Sequence, residues 1–204
     1  MRAFFLEHPA PPCEALLKTF YLVQLAFWLH MIPVTLVEPW RADFVEMMLH
    51  HLITSGMIAS SYTLNFLKIG VAVFAEQDFA DIFLPFAKMF KYARKQAIAD
   101  VVFGLFALAW IPTRHGLFFV IYYTIWDIPN YVPEAQLVWA PENGHYLSRG
   151  TVWAYCIVLG AFQCLLLTWC ALLLKAVYKA LFVNSDGVSD DRSDSETEDP
   201  AKED

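Results

Sequence analysis

The stretch Arg41-Ala-Asp-Phe-Val-Glu-Met-Met-Leu-His-His-Leu-Ile-Thr54 decides how the chain is read. It puts Glu46, His50 and His51 into an apolar segment running from 44 to 64, long enough to cross a hydrocarbon core, which takes about 20 residues. Ionisable side chains inside such a segment cost about 2.5–3.5 kcal/mol each on the insertion scale, so by default they mark a working site. The next apolar segment, 66–87, carries Glu76, Asp78 and Asp81. Glu46 and His50 are four residues apart and Asp78 and Asp81 three, so each pair shares a helix face.

The surroundings agree with a membrane setting. Of the 204 residues 58% are hydrophobic and 17% charged, with mean hydropathy +0.43, against about 45–50% and about a quarter in an ordinary soluble domain. Further apolar segments cover 15–37, with Pro33 inside it, then 97–126 and 151–174. The expected fold is therefore all-α, a polytopic transmembrane bundle of about five spans over residues 1–183. Segment 97–126 carries Pro112 and Arg114 in its middle, and reads either as one kinked helix or as two short pieces. The stretch after Met1 is too short and too rich in proline for a secretory signal, so the spans themselves would direct the chain to the membrane.

Charge is strongly divided. Residues 184–204 hold nine acidic side chains against Arg192 and Lys202, which accounts for the whole net charge of −7. This Ser-rich tail is expected to be disordered, and the neutral body gives no sign of nucleic-acid binding. Lys88, Lys91, Arg94 and Lys95 follow the third segment, and Lys175 and Lys179 follow the last. The positive-inside rule puts both groups, and the tail, in the cytosol, and the turn-rich loop 127–150 on the opposite side. That assignment holds only if 97–126 crosses once. Cys13, Cys156, Cys164 and Cys170 lack CxxC spacing and read as small apolar side chains.

Depth counting brings the polar groups together. His50 lies about six residues from the cytosolic start of its helix, or roughly 9 Å, and Asp81 lies seven residues before Lys88, or roughly 10 Å. Antiparallel neighbours would thus hold histidines and aspartates at one level, just below the cytosolic face. An imidazole there can take a proton from an amine or accept an acyl group from a thioester. A carboxylate hydrogen-bonded to the ring would fix its tautomer. Such a site could take a lipid from the side and a soluble donor from the cytosol. No metal is expected, because six histidines lack the repeated HxxxH and HxxHH sets of di-iron membrane enzymes and adjacent helix residues point about 100° apart.

The quoted stretch resembles the Lag motif of ceramide synthases, R-x-D-(F/Y)-x-(E/Q)-M-x-x-H-H-x-x-T. The likeness continues through Ser60-Ser-Tyr-Thr-Leu-Asn65-Phe, Asp78-Phe-Ala-Asp81 and Ala87-Lys-Met-Phe-Lys-Tyr92, with Tyr21-Leu-Val-Gln-Leu-Ala-Phe-Trp28 upstream. It implies the C-terminal part of a TLC domain, in a multi-pass protein of the endoplasmic reticulum membrane with a cytosolic tail. It also implies a sphingosine N-acyltransferase that uses acyl-CoA as co-substrate, with no bound cofactor, on a sphingoid base such as sphinganine or phytosphingosine. By position the resemblance assigns catalysis to His50, His51, Asp78 and Asp81, with Arg41, Asp43, Glu46, Asn65 and Lys88 in support. It further implies homo- or hetero-oligomers with related synthases, an acyl-chain role for loop 127–150 (otherwise a plain connector), and acidic-directed phosphorylation at Ser193 and Ser195. The alternatives are a non-catalytic TLC protein that binds lipid or assists membrane insertion, an inactive truncated paralogue, and a proton-coupled transporter. Arg114 and Asp100 read as structural polar contacts.

Overall fold

The computed structural model describes residues 3–6, 14–39 and 42–182; 86% of these are helical and none forms a strand. Arg41, Cys13, Ser193, Ser195 and the acidic tail lie outside the described residues.

After a single turn, α1 (Ala3–Leu6), come α2 (Ala15–Val37) and α3 (Phe44–Thr63). These two match the first two apolar segments closely. They run antiparallel, with Tyr21 beside Ser61 and Trp28 beside both histidines. The buried positions of α3, His51, Thr54, Ser55, Ile58 and Ser61, recur at three- and four-residue steps and make one face. The turn into α4 (Leu67–Asp81) passes through Asn65 at φ 60°, a left-handed conformation that asparagine accepts more readily than most residues. Tyr21 donates to the Leu67 carbonyl at 3.0 Å and pins that turn to α2. Gly70 lies against the Tyr21 hydroxyl, where any Cβ would collide with it.

The third expected segment, 66–87, takes a different form. Helix α4 stops at Asp81, and α5 (Phe83–Tyr92) restarts beyond Ile82. Pro85 explains the break, because it has no N–H to give the Asp81 carbonyl four residues back. The helix then continues past the expected end at 87 as far as Tyr92. Arg94 (φ 57°) turns the chain into α6 (Gln96–Ile111).

Segment 97–126 is one continuous helix from Gln96 to Trp126. Its middle widens into a π-helical turn, Pro112–Leu117, before α7 (Phe118–Trp126). Proline cannot supply the regular i→i−4 bond, and a π-turn lets the helix carry on past it. The last helix, α9 (Arg149–Phe182), is longer at both ends than the expected 151–174.

Among the described residues three helices are, by length and composition, long and apolar enough to cross a membrane: Ala15–Val37, Gln96–Trp126 and Arg149–Lys179. Helices α4 and α5 are separated by Ile82 alone, whose own backbone angles are helical (φ −62°, ψ −39°). The 20 residues of α3 have the length, but Glu46, His50, His51 and its serines and threonines dilute its apolar character. Helices α3 and α4 pack between the long helices. The main core joins α6, α7 and α9 through Phe106, Trp110, Phe118, Ile121, Phe162 and Leu166. A smaller cluster of Tyr21, Ile58, Leu67 and Phe74 ties α2 to α3 and α4.

Loop 127–150 is folded. It contains α8 (Ile128–Tyr131), 3-10 turns at Glu134–Gln136 and Pro141–Asn143, and an antiparallel bridge between Ala140 and His145. Gly144 (φ 72°) closes that bridge, and Ile128, Val132 and Leu147 are buried in the main core. Arg149 donates from two nitrogens to the Glu134 carboxylate at 2.7 and 3.2 Å, which holds that carboxyl below its usual range.

Candidate active site

A cavity of about 590 Å³ opens among α2, α3, α5, α6, the π-turn and α9. His50 and His51 line it from α3, Asp81 from the end of α4, Arg114 from the π-turn, and Lys88, Lys91 and Lys175 from elsewhere in the wall. Apolar side chains such as Phe103, Phe106, Leu166 and Leu173 make up much of the rest.

The two imidazoles sit 5.7 Å apart, centre to centre. His50 stacks on Phe162 (5.3 Å, 23°) and meets the edges of Trp28 (5.1 Å) and Trp169 (5.2 Å). Its Nδ1 is buried and makes no hydrogen bond among the described residues. Three aromatic rings from α2 and α9 thus fix where this ring stands. His51 is buried, and its Nδ1 lies 3.1 Å from the Thr35 hydroxyl. The same hydroxyl lies 2.9 Å from the Met31 carbonyl, so its one proton goes either to that carbonyl or to His51 Nδ1. When the proton goes to Met31, Nδ1–H donates to Thr35 and the lone pair of His51 is on Nε2.

The expected carboxylate–imidazole contact is replaced by other pairings. A threonine, not an aspartate, orients His51. Asp78 accepts from Gln24 Nε2 at 3.2 Å on α2 and is not among the cavity-lining residues. Asp81 does line the cavity, and its Oδ1 accepts from Arg114 Nη2 at 2.6 Å. Although Asp78 and Asp81 share a face in principle, their side chains are drawn toward different helices. Glu76 is buried and accepts from Gln77 at 2.8 Å. His50, His51 and Asp81 meet in one cavity; Asp78 stands behind it.

The supporting residues take separate places. Asp43 is buried at the N-cap position of α3. Asn65 makes the α3–α4 turn, and Lys88 is exposed in the cavity wall. Half-buried Glu46 stays off the cavity lining, as does every residue of loop 127–150.

Trp28, Thr35, Arg114, Phe162 and Trp169 belong to the site but were not singled out for it by sequence. A signal existed for part of this set. Tyr21, Gln24, Trp28, Met31 and Thr35 recur at steps of three and four, one stripe of α2. Each of the five bonds or packs around the site or the turn above it.

Comparison with known proteins agrees with this architecture. The TLC domain model that groups TRAM, LAG1 and CLN8 proteins matches residues 2–175. Sphingosine N-acyltransferase lag1 of Schizosaccharomyces pombe is 33% identical over 196 residues, covering 96% of this chain and 49% of the relative. Ceramide synthase LAG1 of Saccharomyces cerevisiae is 30% identical over 204 residues, covering 98% and 48%. Human Ceramide synthase 5 is 29% identical over 202 residues, with the same coverage of 98% and 48%. The chain spans about half the length of these relatives. With three helices fit to cross a bilayer and a domain match over most of its length, it is a helical membrane protein that belongs to the TLC-domain family.

Proposed function

We propose that this chain carries an N-acyltransferase site that moves an acyl group from acyl-CoA to the amine of a sphingoid base, as in ceramide synthesis. The observation that carries the reading is the cavity: two adjacent imidazoles and the Arg114–Asp81 pair share an apolar hollow with three lysines in its wall. The names of the relatives support the reaction class. An acyl chain suits the apolar wall, and the phosphates of a coenzyme suit Lys88, Lys91 and Lys175.

Two routes use these residues. In one, an imidazole nitrogen attacks the thioester carbonyl, the coenzyme thiolate leaves, and the amine then displaces the imidazole from the acyl group. In the other, the imidazole takes the ammonium or amine proton while the amine attacks the thioester directly. Both end with one amide, one thiol and the release of the amine's remaining proton. In the tautomer whose Nδ1–H donates to Thr35, His51 offers Nε2 as base or nucleophile; His50, boxed by Trp28, Phe162 and Trp169, stands beside it. Asp78 acts behind the cavity through Gln24. Asp43, Glu46 and Asn65 support the helix carrying the histidines. The cytosolic placing of the lysine-bearing ends and of the tail, residence in the endoplasmic reticulum, assembly with related synthases, and phosphorylation at Ser193 and Ser195 belong to the same reading.

The test is direct. The purified chain in lipid nanodiscs, given labelled acyl-CoA and sphinganine, should form labelled long-chain amide. Binding of sphinganine without any amide product would favour a lipid-binding TLC protein instead.

A further inference from the structure

The Arg114–Asp81 pair is lopsided. The arginine side chain is 5% exposed and the aspartate 58% exposed. A contact that only glued α4 to the π-turn would gain from using the guanidinium's paired donors rather than one nitrogen. Here Arg114 Nη2 holds Asp81 Oδ1 at 2.6 Å, while Nε is buried and unpartnered among the described residues. Leaving such a donor unmade is costly. The guanidinium is also close enough to act electrostatically on His50, Glu76 and Asp78.

Backbone features hold both partners in place. Asp81 is the last residue of α4, where Pro85 ends the regular helix. Arg114 sits in the wide turn that Pro112 opens. The buried cation therefore grips one carboxylate oxygen and leaves the rest of the carboxylate facing the cavity that holds both histidines. A carboxylate fixed in that way is suited to receive a cation, and of the two substrates in the reading above the long-chain amine is the cationic one.

We infer that Arg114 is a positioning residue that fixes Asp81 in the cavity wall, and that Asp81, so held, docks the ammonium group of the long-chain amine beside the histidines. This inference rests on the acyltransferase reading for the choice of amine, but it concerns binding and is tested without turnover. Of the carboxylates near the cavity, Asp78 is taken up by Gln24 away from it, and Asp100, which does line it, accepts from its own-helix neighbour Gln96 at 2.8 Å; Asp81 is the one that Arg114 holds.

The experiment is a double-mutant cycle on amine affinity, using the full chain in nanodiscs and labelled sphinganine. Asp81→Asn should weaken sphinganine binding about tenfold or more, the scale of a hydrogen bond to a charged group. Arg114→Met should weaken it to a similar degree. In the Asp81→Asn background Arg114→Met should add less than about twofold, since its effect passes through Asp81. Arg114→Lys, which keeps the charge but loses the planar fork, should recover part of the affinity. Melting curves check each variant's fold, and exposed Asp81→Asn is the variant least exposed to misfolding. Equal losses from Arg114→Met with and without Asp81 would overturn the inference, as would full sphinganine affinity in folded Asp81→Asn. Wild-type binding that follows this cycle without any amide product would sink the acyltransferase reading and leave the docking pair intact.

Discussion

Pro85 and Pro112 each remove a backbone donor from a helix, and the chain responds differently at the two places. At Pro85 the regular bonding lapses: α4 stops at Asp81, Ile82 keeps helical backbone angles, and α5 follows. At Pro112 the helix continues through a π-turn, so Gln96–Trp126 remains one piece. The first interruption leaves an exposed aspartate at a helix end; the second tucks an arginine inside the bundle. Between them the two sites make the ion pair that closes one side of the cavity. A proline in a membrane helix is easily read as a mere kink. Here the two prolines place opposite charges on facing elements, one open to the cavity and one sealed behind it.

Several changes would break or sharpen that contrast. Deleting Gly116, which has open space around it, should close the wide turn to regular helix and swing Arg114 by up to about 100° around the axis. Helix content by circular dichroism should persist while amide formation falls by about tenfold or more. Unchanged activity would mean that the π-turn is incidental. Gly70→Ala comes next: the new methyl displaces Tyr21 from the Leu67 carbonyl, so about 1–3 kcal/mol of stability should disappear in a thermal melt. Its effect reaches the site only through α2, so affinity for sphinganine should hold at temperatures where the variant is folded.

Pro85→Ala restores a donor for the Asp81 carbonyl. Helical bonding should then run through Ile82, with a rise in helix signal and a loss of a few-fold in amide formation as Asp81 moves. The smallest effect belongs to the far loop. Glu134 and Arg149 are both exposed, and a surface pair of this kind adds little. Because Arg149 depresses the Glu134 carboxyl, the pair's contribution is present above the usual carboxylate range. It disappears only as pH falls through the lowered value. Glu134→Gln should leave the melting temperature unchanged at neutral pH.

The sequence made some of this legible and hid the rest for physical reasons. Helices α2 and α3 could be read to within a residue or so because Glu38, Pro39 and Asp43 bound the facing ends of their apolar runs. Continuous helix through Pro112 was one of two open readings, since a proline can end a helix or be absorbed, and only tertiary packing decides which. The 66–87 segment looked unbroken because hydropathy does not register a missing N–H at Pro85. Within the site, His50, His51 and Asp81 stood out as charges in apolar surroundings. Their partners did not: Thr35 lies 16 residues from His51, Arg114 lies 33 from Asp81, and Gln24 lies 54 from Asp78. Such pairings come from how helices cross, which no local pattern records. The expected imidazole–carboxylate bond failed for the same reason, as a neighbouring helix offered a closer hydroxyl.

The central claim is that the histidine pair does the chemistry in this cavity. It is tested most directly by the rate of labelled amide formation from acyl-CoA and sphinganine in His50→Ala and His51→Ala, each measured separately. Both variants should stay folded, and at least one should lose about a hundredfold or more of the rate, the usual contribution of a positioned acid–base or nucleophilic side chain. Full activity in both would contradict the account.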